Sequence, residues 1–253
     1  MKKLEKQEYY KIYSLIPCDM PNRTVVESVI IGSARGDIWV DDVENATSMF
    51  INTGEIFSFV LGFFVESFLF EVCIEARNKP SRYLYLGDPP MLDFFEVKYN
   101  IINMVQFFLP DSEKENSKTH QLSVPEPYIL SSISNDNFNR CNWYELLTRI
   151  FGDEKNYFKY AKGYCISHGD KIISESHTGY ISDNKFEIAT VTVPEYQKKS
   201  LSYIVCLRLL NDYMQEGRYH PVWSCEERNT ASMAVAKKLG FRIDKHYSLI
   251  KLF

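Results

Sequence analysis

The sequence predicts an α/β (α+β) protein built from two successive units, and three observations predict it. Apolar and polar residues alternate through 163–193 with the period of half-buried strands. At 201–216 the period lengthens to that of a helix, with Ile204, Leu207, Leu210 and Met214 on one face and Gly217 as the stop. The chain of 253 residues is 45% hydrophobic and 25% charged, which provides a sizeable core without staples and excludes a disordered tail.

The N-terminal stretch MKKLEKQEYYKIY is charged throughout and lacks the apolar region of a signal peptide. Short strands are expected at Val25–Ile31, Ile38–Val40 and Ser48–Asn52, and Asn52-Thr-Gly-Glu55 reads as a hairpin turn. Gly32, Gly36 and Gly54 are read as turn residues, because GSARG lacks both the GxGxxG and the GKS/GKT pattern. The apolar run from Ile56 to Ile74 contains Glu66 and Glu71 and has no flanking basic cluster. Two carboxylates at mid-span are costly in a bilayer. The run therefore reads as a buried strand over 55–61 and a helix over 64–76 with Phe64, Phe68, Val72 and Glu75 at helical spacing. Another helix is expected at Met91–Lys98. Asp111–His120 has no apolar residue and marks a boundary between a smaller α/β unit, 1–122, and a second unit, 123–253.

The second unit begins with a strand at Pro127–Ile133 and short helices at Trp143–Ile150 and Glu154–Ala161, parted by Gly152. Strands follow at Gly163–Ser167, Lys171–Ile181 and Lys185–Val193, with turns at His168-Gly169-Asp170 and Asp183-Asn184. After the helix at 201–216 come a strand at Pro221–Cys225 and a helix at Thr230–Leu239, with Asn229 as N-cap and Gly240 beyond its end. Residues 241–253 are long enough for a closing hairpin.

With 29 Lys and Arg against 33 Asp and Glu, the formal charge is -4, and no run of basic residues advertises nucleic acid. Cysteines at 18, 73, 141, 165, 206 and 225 form no CxxC, which fits reduced thiols in a cytoplasmic protein. Histidines 120, 168, 220 and 246 form no HxxxH or HExxH, so no metal is expected.

Three segments then carry a resemblance: Phe186-Glu-Ile-Ala-Thr-Val-Thr-Val193, Gln197-Lys-Lys-Ser-Leu-Ser202, and Asn229-Thr-Ala-Ser-Met-Ala-Val-Ala-Lys-Lys-Leu-Gly-Phe241. Together, over about 127–253, they resemble the GCN5-related N-acetyltransferase (GNAT) family. Trp223-Ser-Cys with Asn229, and the extra first half, are most similar to a bacterial subgroup that includes zwittermicin-resistance-type acetyltransferases. The resemblance implies a central mixed, mostly antiparallel sheet flanked by helices, and acetyl-CoA as acyl donor.

It also implies a site. Val191, Thr192 and Val193 match the strand whose backbone pairs with pantetheine. Gln197, Lys198, Lys199, Ser200, Leu201 and Ser202 match the pyrophosphate loop at a helix N-terminus, where free N–H groups favour an anion. Serines 200 and 202 replace the family's two glycines. Taken alone, the hexapeptide reads as an ordinary strand-to-helix turn with solvated lysines; its context favours the anion site. Asn229 matches a pantetheine contact and also serves as a cap.

Acetyl transfer to an amine needs a base, a polarised carbonyl and a stabilised leaving thiolate. Glu187 is the first base candidate: ten residues before Gln197, it matches the glutamate of the family's histone-acetylating members, and Phe186 and Ile188 would partly desolvate it. His177 on the preceding strand and Glu226 at a strand end are further candidates, and Cys225 is a candidate acyl carrier. The family's tyrosine acid is replaced by Ala236, which leaves Ser232, Cys225, Tyr247 or water to meet the thiolate. The expected partner is a small-molecule amine, with neither nucleic acid nor membrane, and a homodimer is compatible with the reading. A non-catalytic CoA-binding or interaction protein is the alternative.

Overall fold

The computed structural model describes residues 1–54, 56–63, 65–78, 83–86, 99–112 and 123–252. Its first half comprises β1 (Lys2–Lys3), a 3-10 helix (Lys6–Leu15), α1 (Arg23–Ile30), β2 (Asp37–Val40), β3 (Ser48–Asn52), β4 (Phe57–Gly62), α2 (Glu66–Asn78), β5 (Tyr83–Leu86) and β6 (Tyr99–Phe108). The second half comprises β7 (Ile129–Ser132), α3 (Tyr144–Phe151), α4 (Glu154–Tyr160), β8 (Gly163–His168), β9 (Lys171–Ile181), β10 (Lys185–Thr192), α5 (Leu201–Glu216), β11 (His220–Glu226), α6 (Thr230–Lys238) and β12 (Arg242–Leu252).

All twelve described strands join one mixed sheet in the order β1-β2-β3-β4-β5-β12-β6-β11-β10-β9-β8-β7. From either edge, five strands of one half are followed by the last strand of the other. β6 lies against β11, and β12 against β5, with β6 and β12 antiparallel to each other from Arg242↔Phe108 to Leu252↔Tyr99. The halves thus share a seam made of exchanged strands.

The two parallel pairs sit at matching places but differ in extent. β4 and β5 pair from Phe57↔Tyr83 to Val60↔Leu86, the whole of β5. β10 and β11 pair only from Lys185↔His220 to Glu187↔Val222, although β10 continues to Thr192 and β11 to Glu226. The second pair therefore opens into a wedge.

Core packing follows the two faces of the sheet. Phe186, Ile188, Trp223 and Cys225 pack with α5 and Ala236 of α6 on one face. On the other, Val25, Val26 and Val29 of α1 join Leu147 and Ile150 of α3, Tyr180, Met104 and Leu249 in one cluster drawn from both halves. Backbone bonds cross between the halves as well: Arg35 N–H donates to Ile150 O at 2.7 Å, and Ser33 Oγ donates to Ile181 O at 2.6 Å.

Several expectations are met within a residue or two, among them the helices at 144–151, 154–160 and 201–216 and the Asn229 cap, whose Oδ1 accepts from Ser232 N–H at 3.1 Å. Val25–Ile31 is a correction. Its β-branched run reads as a strand, but the segment is helical. An Arg23–Glu27 ion pair at i,i+4 (2.6 Å) and burial of Val25, Val26 and Val29 on β9 and β10 outweigh local propensity. The closing hairpin is a second correction. Residues 242–252 hold no glycine or proline and form one long strand, with an irregularity at Asp244 where Gln106 Nε2 donates to its carboxylate at 2.8 Å. The helix expected at Met91–Lys98, and Phe64, Glu55 and residues 113–120 of the boundary window, lie outside the described residues. Among the described residues no helix is long and apolar enough to cross a membrane.

Leu249 is fully buried on β12 in the core that both halves build. Leu249→Ala is expected to cost about 2–5 kcal/mol and to shift one calorimetric transition of the whole chain. Two transitions of which only one moves would contradict a shared core.

Candidate active site

Beyond Glu187 and Val222, the facing edges of β10 and β11 have no strand between them. Backbone groups there need another partner. The divergence opens a cleft of about 720 Å³ that reaches from Asn229 and Ser232, on the α6 side of the wedge, to Phe57 and the flank of α3.

Alternation fixes what faces the cleft. Phe186 and Ile188 point into the core beneath α5, so Glu187 and Ala189 project from the opposite face. Trp223 and Cys225 share that same core, so Ser224 and Glu226 project alongside Glu187. Two residues of β9, Gly179 and Tyr180, oppose the single Glu187 in a register shift, the kind of irregularity that re-aims a side chain. A Cβ on Gly179 would sit 3.3 Å from that of Ala189, so glycine keeps this wall open.

Glu187 retains some surface toward the cleft, but protein crowds its carboxyl on every other side. This burial pushes its pKa up from 4.5 to about 7. Glu226 is different. Burial alone would raise its pKa, but Tyr83 Oη donates to Oε1 at 2.8 Å and Arg228 pairs with Oε2, which hold it below the usual carboxylate range. It is a fixed charge rather than a base.

The other sequence candidates separate clearly. His177 does not reach the cleft. It is fully buried, its Nδ1 lies 2.8 Å from Tyr157 Oη, and its Nε2 faces Glu175 Oε1 at 3.3 Å. Glu175 in turn accepts from Asn142 N–H and Nδ2 and from Trp143 N–H at 2.9–3.0 Å. Cys141, Glu175 and His177 converge within 4.8 Å, but those three donors already occupy the carboxylate, and the trio braces the start of α3. Cys225 lines the cleft as a buried thiol. Burial raises its pKa and the Ser232 hydroxyl only partly offsets this, so it lacks the thiolate character of an acyl carrier. Ala236 is buried among the α5 and α6 side chains. Tyr247 donates to Asn22 Oδ1 at 3.1 Å, and burial, with the charge of Glu187, holds it protonated.

The cofactor segments also sort. Val193 N–H is spent on Ile173 O, and the Thr192 carbonyl accepts from Gln197 Nε2 at 3.2 Å. Beyond Glu187 the edge of β10 left without a strand runs over Ile188–Val191 and meets the 191–193 segment marked in the sequence at Val191. Lys199 is held over the Tyr128 and Tyr196 rings, with Nζ 3.1 Å from Tyr128 Oη. Lys198 and Ser200 adopt left-handed backbone angles (φ 62° and 60°), the conformation for which glycine is suited. Ser202 lies inside α5 and bears no such demand, so only the first serine occupies a site that needs a glycine-like backbone. No side chain caps α5, and Ile204 N–H is the first to bond back, to Ser200 O at 3.2 Å. The N–H groups of Leu201, Ser202 and Tyr203 thus form an uncapped helix start beside Lys198 and Lys238, a fit for a pyrophosphate. Leu201 offers only its N–H, since its side chain is in the core.

Sequence reasoning missed Ser224. Its Oγ is buried beside the Tyr247 hydroxyl without a hydrogen bond of normal geometry, and the residue lines the cleft. It also missed the wall supplied by Trp143, Leu146 and Leu147. The alternation Trp223-Ser224-Cys225-Glu226 was the available signal for the first; the second depends on where α3 docks.

Two outcomes follow for variants. A carboxyl whose pKa rises on folding favours the folded state while protonated, and that contribution fades as pH climbs from 4.5 to 7. Glu187→Gln should therefore raise Tm by a few degrees at pH 8 and by little at pH 5, as read by scanning fluorimetry. Ser200→Gly should relieve about 1 kcal/mol of backbone strain, seen as a higher denaturation midpoint.

Comparison with known proteins places this geometry in a family. A family model described as GNAT acetyltransferase matches residues 18–250, well beyond the second half that carried the resemblance. The uncharacterized N-acetyltransferase YdfB of Bacillus subtilis (strain 168) is 24% identical over 262 residues, covering 98% of this chain and 97% of that protein. A GCN5-related N-acetyltransferase-like protein from Streptococcus suis 89/1591 superposes with a TM-score of 0.77 at 18% identity, over 98% of this chain and 99% of that one. A tandem GNAT protein from the clavulanic acid biosynthesis pathway gives 0.64 at 12% identity, over 99% and 97%.

Proposed function

The chain belongs to the GNAT acetyltransferase family, and we propose that it is an acetyl-CoA-dependent N-acetyltransferase that acylates a primary amine of a small molecule by direct attack. The observation that carries this reading is the position of Glu187, a carboxyl with a pKa near 7, at the apex of the one wedge among the described parallel strand pairs.

The open edge of β10 at Ile188–Val191 and the cleft side of Asn229 would hold the pantetheine arm, and the uncapped start of α5 with Lys198 would hold the pyrophosphate. When bound, acetyl-CoA supplies an acetyl thioester, whose C–S bond breaks as the amine nitrogen forms the amide bond. Glu187 takes the proton that the ammonium must lose, a task suited to a group that titrates near the working pH. On the β11 side, Trp223 Nε1 donates to Ser232 Oγ at 3.0 Å, so the Ser232 hydroxyl proton is left to point elsewhere. Ser232 and Ser224 are the cleft hydroxyls that stand in for the tyrosine acid absent at Ala236. Glu226 is tied up by Tyr83 and Arg228 and serves as no second base, which leaves Glu187 as the carboxyl that meets the amine.

A non-catalytic CoA-binding protein is the second reading, and the burial of Ala236 at the place of the family's acid favours it.

Calorimetric titration with acetyl-CoA and an amine screen test the reading together. Micromolar binding is expected, and kcat/KM should climb tenfold per pH unit up to about 7 and then level, because the base acts only when ionised. Glu187→Gln should keep binding, lose that limb and fall about 10²- to 10⁴-fold. Binding without turnover of any amine would move the assignment to the second reading.

A further inference from the structure

The cleft has two ends, and Glu187 stands between them. One end is the wedge, with Ala189, Thr190, Asn229 and Ser232. The other is walled by Phe57, Trp143, Leu146, Leu147, Ile150 and Tyr180, aliphatic and aromatic throughout apart from one phenol. Among the described lining residues three are charged: Glu187, Glu226 and Arg228. Arg228 pairs with Glu226, and Glu226 also takes the Tyr83 hydroxyl. A carboxylate on the acceptor would therefore meet no uncommitted side-chain cation among the described lining residues. Among the described lining residues a second ammonium would meet no carboxylate beyond Glu226, which Arg228 already neutralises.

We infer that the acceptor is a hydrophobic monoamine: one primary amine on an apolar, preferably aromatic, body, without carboxylate or additional charge. The inference rests on the acetyl-transfer reading of the same site and names its substrate class. A single ammonium satisfies Glu187, and the body replaces water against the α3 wall, where burial of apolar area is favourable. Phe57 and Tyr180, with ring centroids 6.1 Å apart, and Trp143 on the same lining supply faces against which a ring packs. Polyamines, amino acids and polyhydroxylated aminoglycosides would each leave charges or hydroxyls desolvated against leucine and isoleucine. The wall is also held in place: the Glu175 carboxylate binds the N–H groups of Asn142 and Trp143, which fixes the start of α3 and with it Trp143, Leu146 and Leu147.

The test uses the full chain and four probes: phenethylamine, spermidine, β-alanine and kanamycin. Turnover with acetyl-CoA is measured for each, and binding is followed separately by tryptophan fluorescence without donor, since Trp143 and Trp223 line the cleft. Phenethylamine is expected to show at least tenfold higher kcat/KM than the other three and to change the fluorescence saturably. Leu146→Glu, at a partly exposed position on the wall, should lower phenethylamine turnover about tenfold and raise that of spermidine; Leu146→Ala should weaken phenethylamine without favouring spermidine. Turnover that prefers spermidine, β-alanine or kanamycin in the wild type would overturn the inference and leave acetyl transfer standing. A saturable phenethylamine signal without turnover would uphold the pocket assignment and sink acetyl transfer. No signal with phenethylamine and no turnover of it would overturn the inference outright.

Discussion

The parting of β10 from β11 is the constraint on which the rest depends. Parallel strands normally satisfy each other's backbone groups along their length. Here pairing stops at Glu187 and Val222 while both strands run on. The result is a length of β10 with no strand beside it, a cleft between the two strands, and a carboxylate held where solvent is scarce. The raised pKa of Glu187 follows from the same divergence, because the residue sits where the strands are still close enough to bury it.

That divergence is tolerated because the sheet is anchored on both sides. On one side β9 pairs with β10 through Thr192. On the other, β11 is held by β6, a strand from the first half of the chain, from Val222↔Phe108 to Glu226↔Met104. The first half repeats the element order of the second as far as it is described, and its parallel pair, β4 with β5, is joined along the whole of the described β5. To this cleft the first half contributes a partner strand, the α1 helix on β9 and β10, and Phe57 on the wall.

Much of this was legible in the sequence. Glu187 was singled out through the resemblance, by its place before Gln197, and the cap at Asn229 by its residue type. That β10 has a free backbone edge was implied by the resemblance, through the strand that pairs with pantetheine. Other features were not legible for physical reasons. Helix α1 hid behind a valine-rich run, since local propensity does not record what a segment packs against. The exchange of β6 and β12 is a matter of long-range pairing, and an apolar strand carries no label for its partner. His177 was misplaced because alternation gives the face of a strand but not which helix covers it; Tyr157 and Glu175 cover it here. Ser200 shows the reverse case, where a suspected departure is real in backbone conformation at one position and harmless at Ser202.

Amide hydrogen exchange of the whole chain with and without CoA tests the central claim most directly. The account predicts slowed exchange in peptides covering Ile188–Val191 and Leu201–Tyr203, with β4 and β5 unchanged. Absence of protection at β10 and α5, or protection concentrated at β4 and β5, would contradict it.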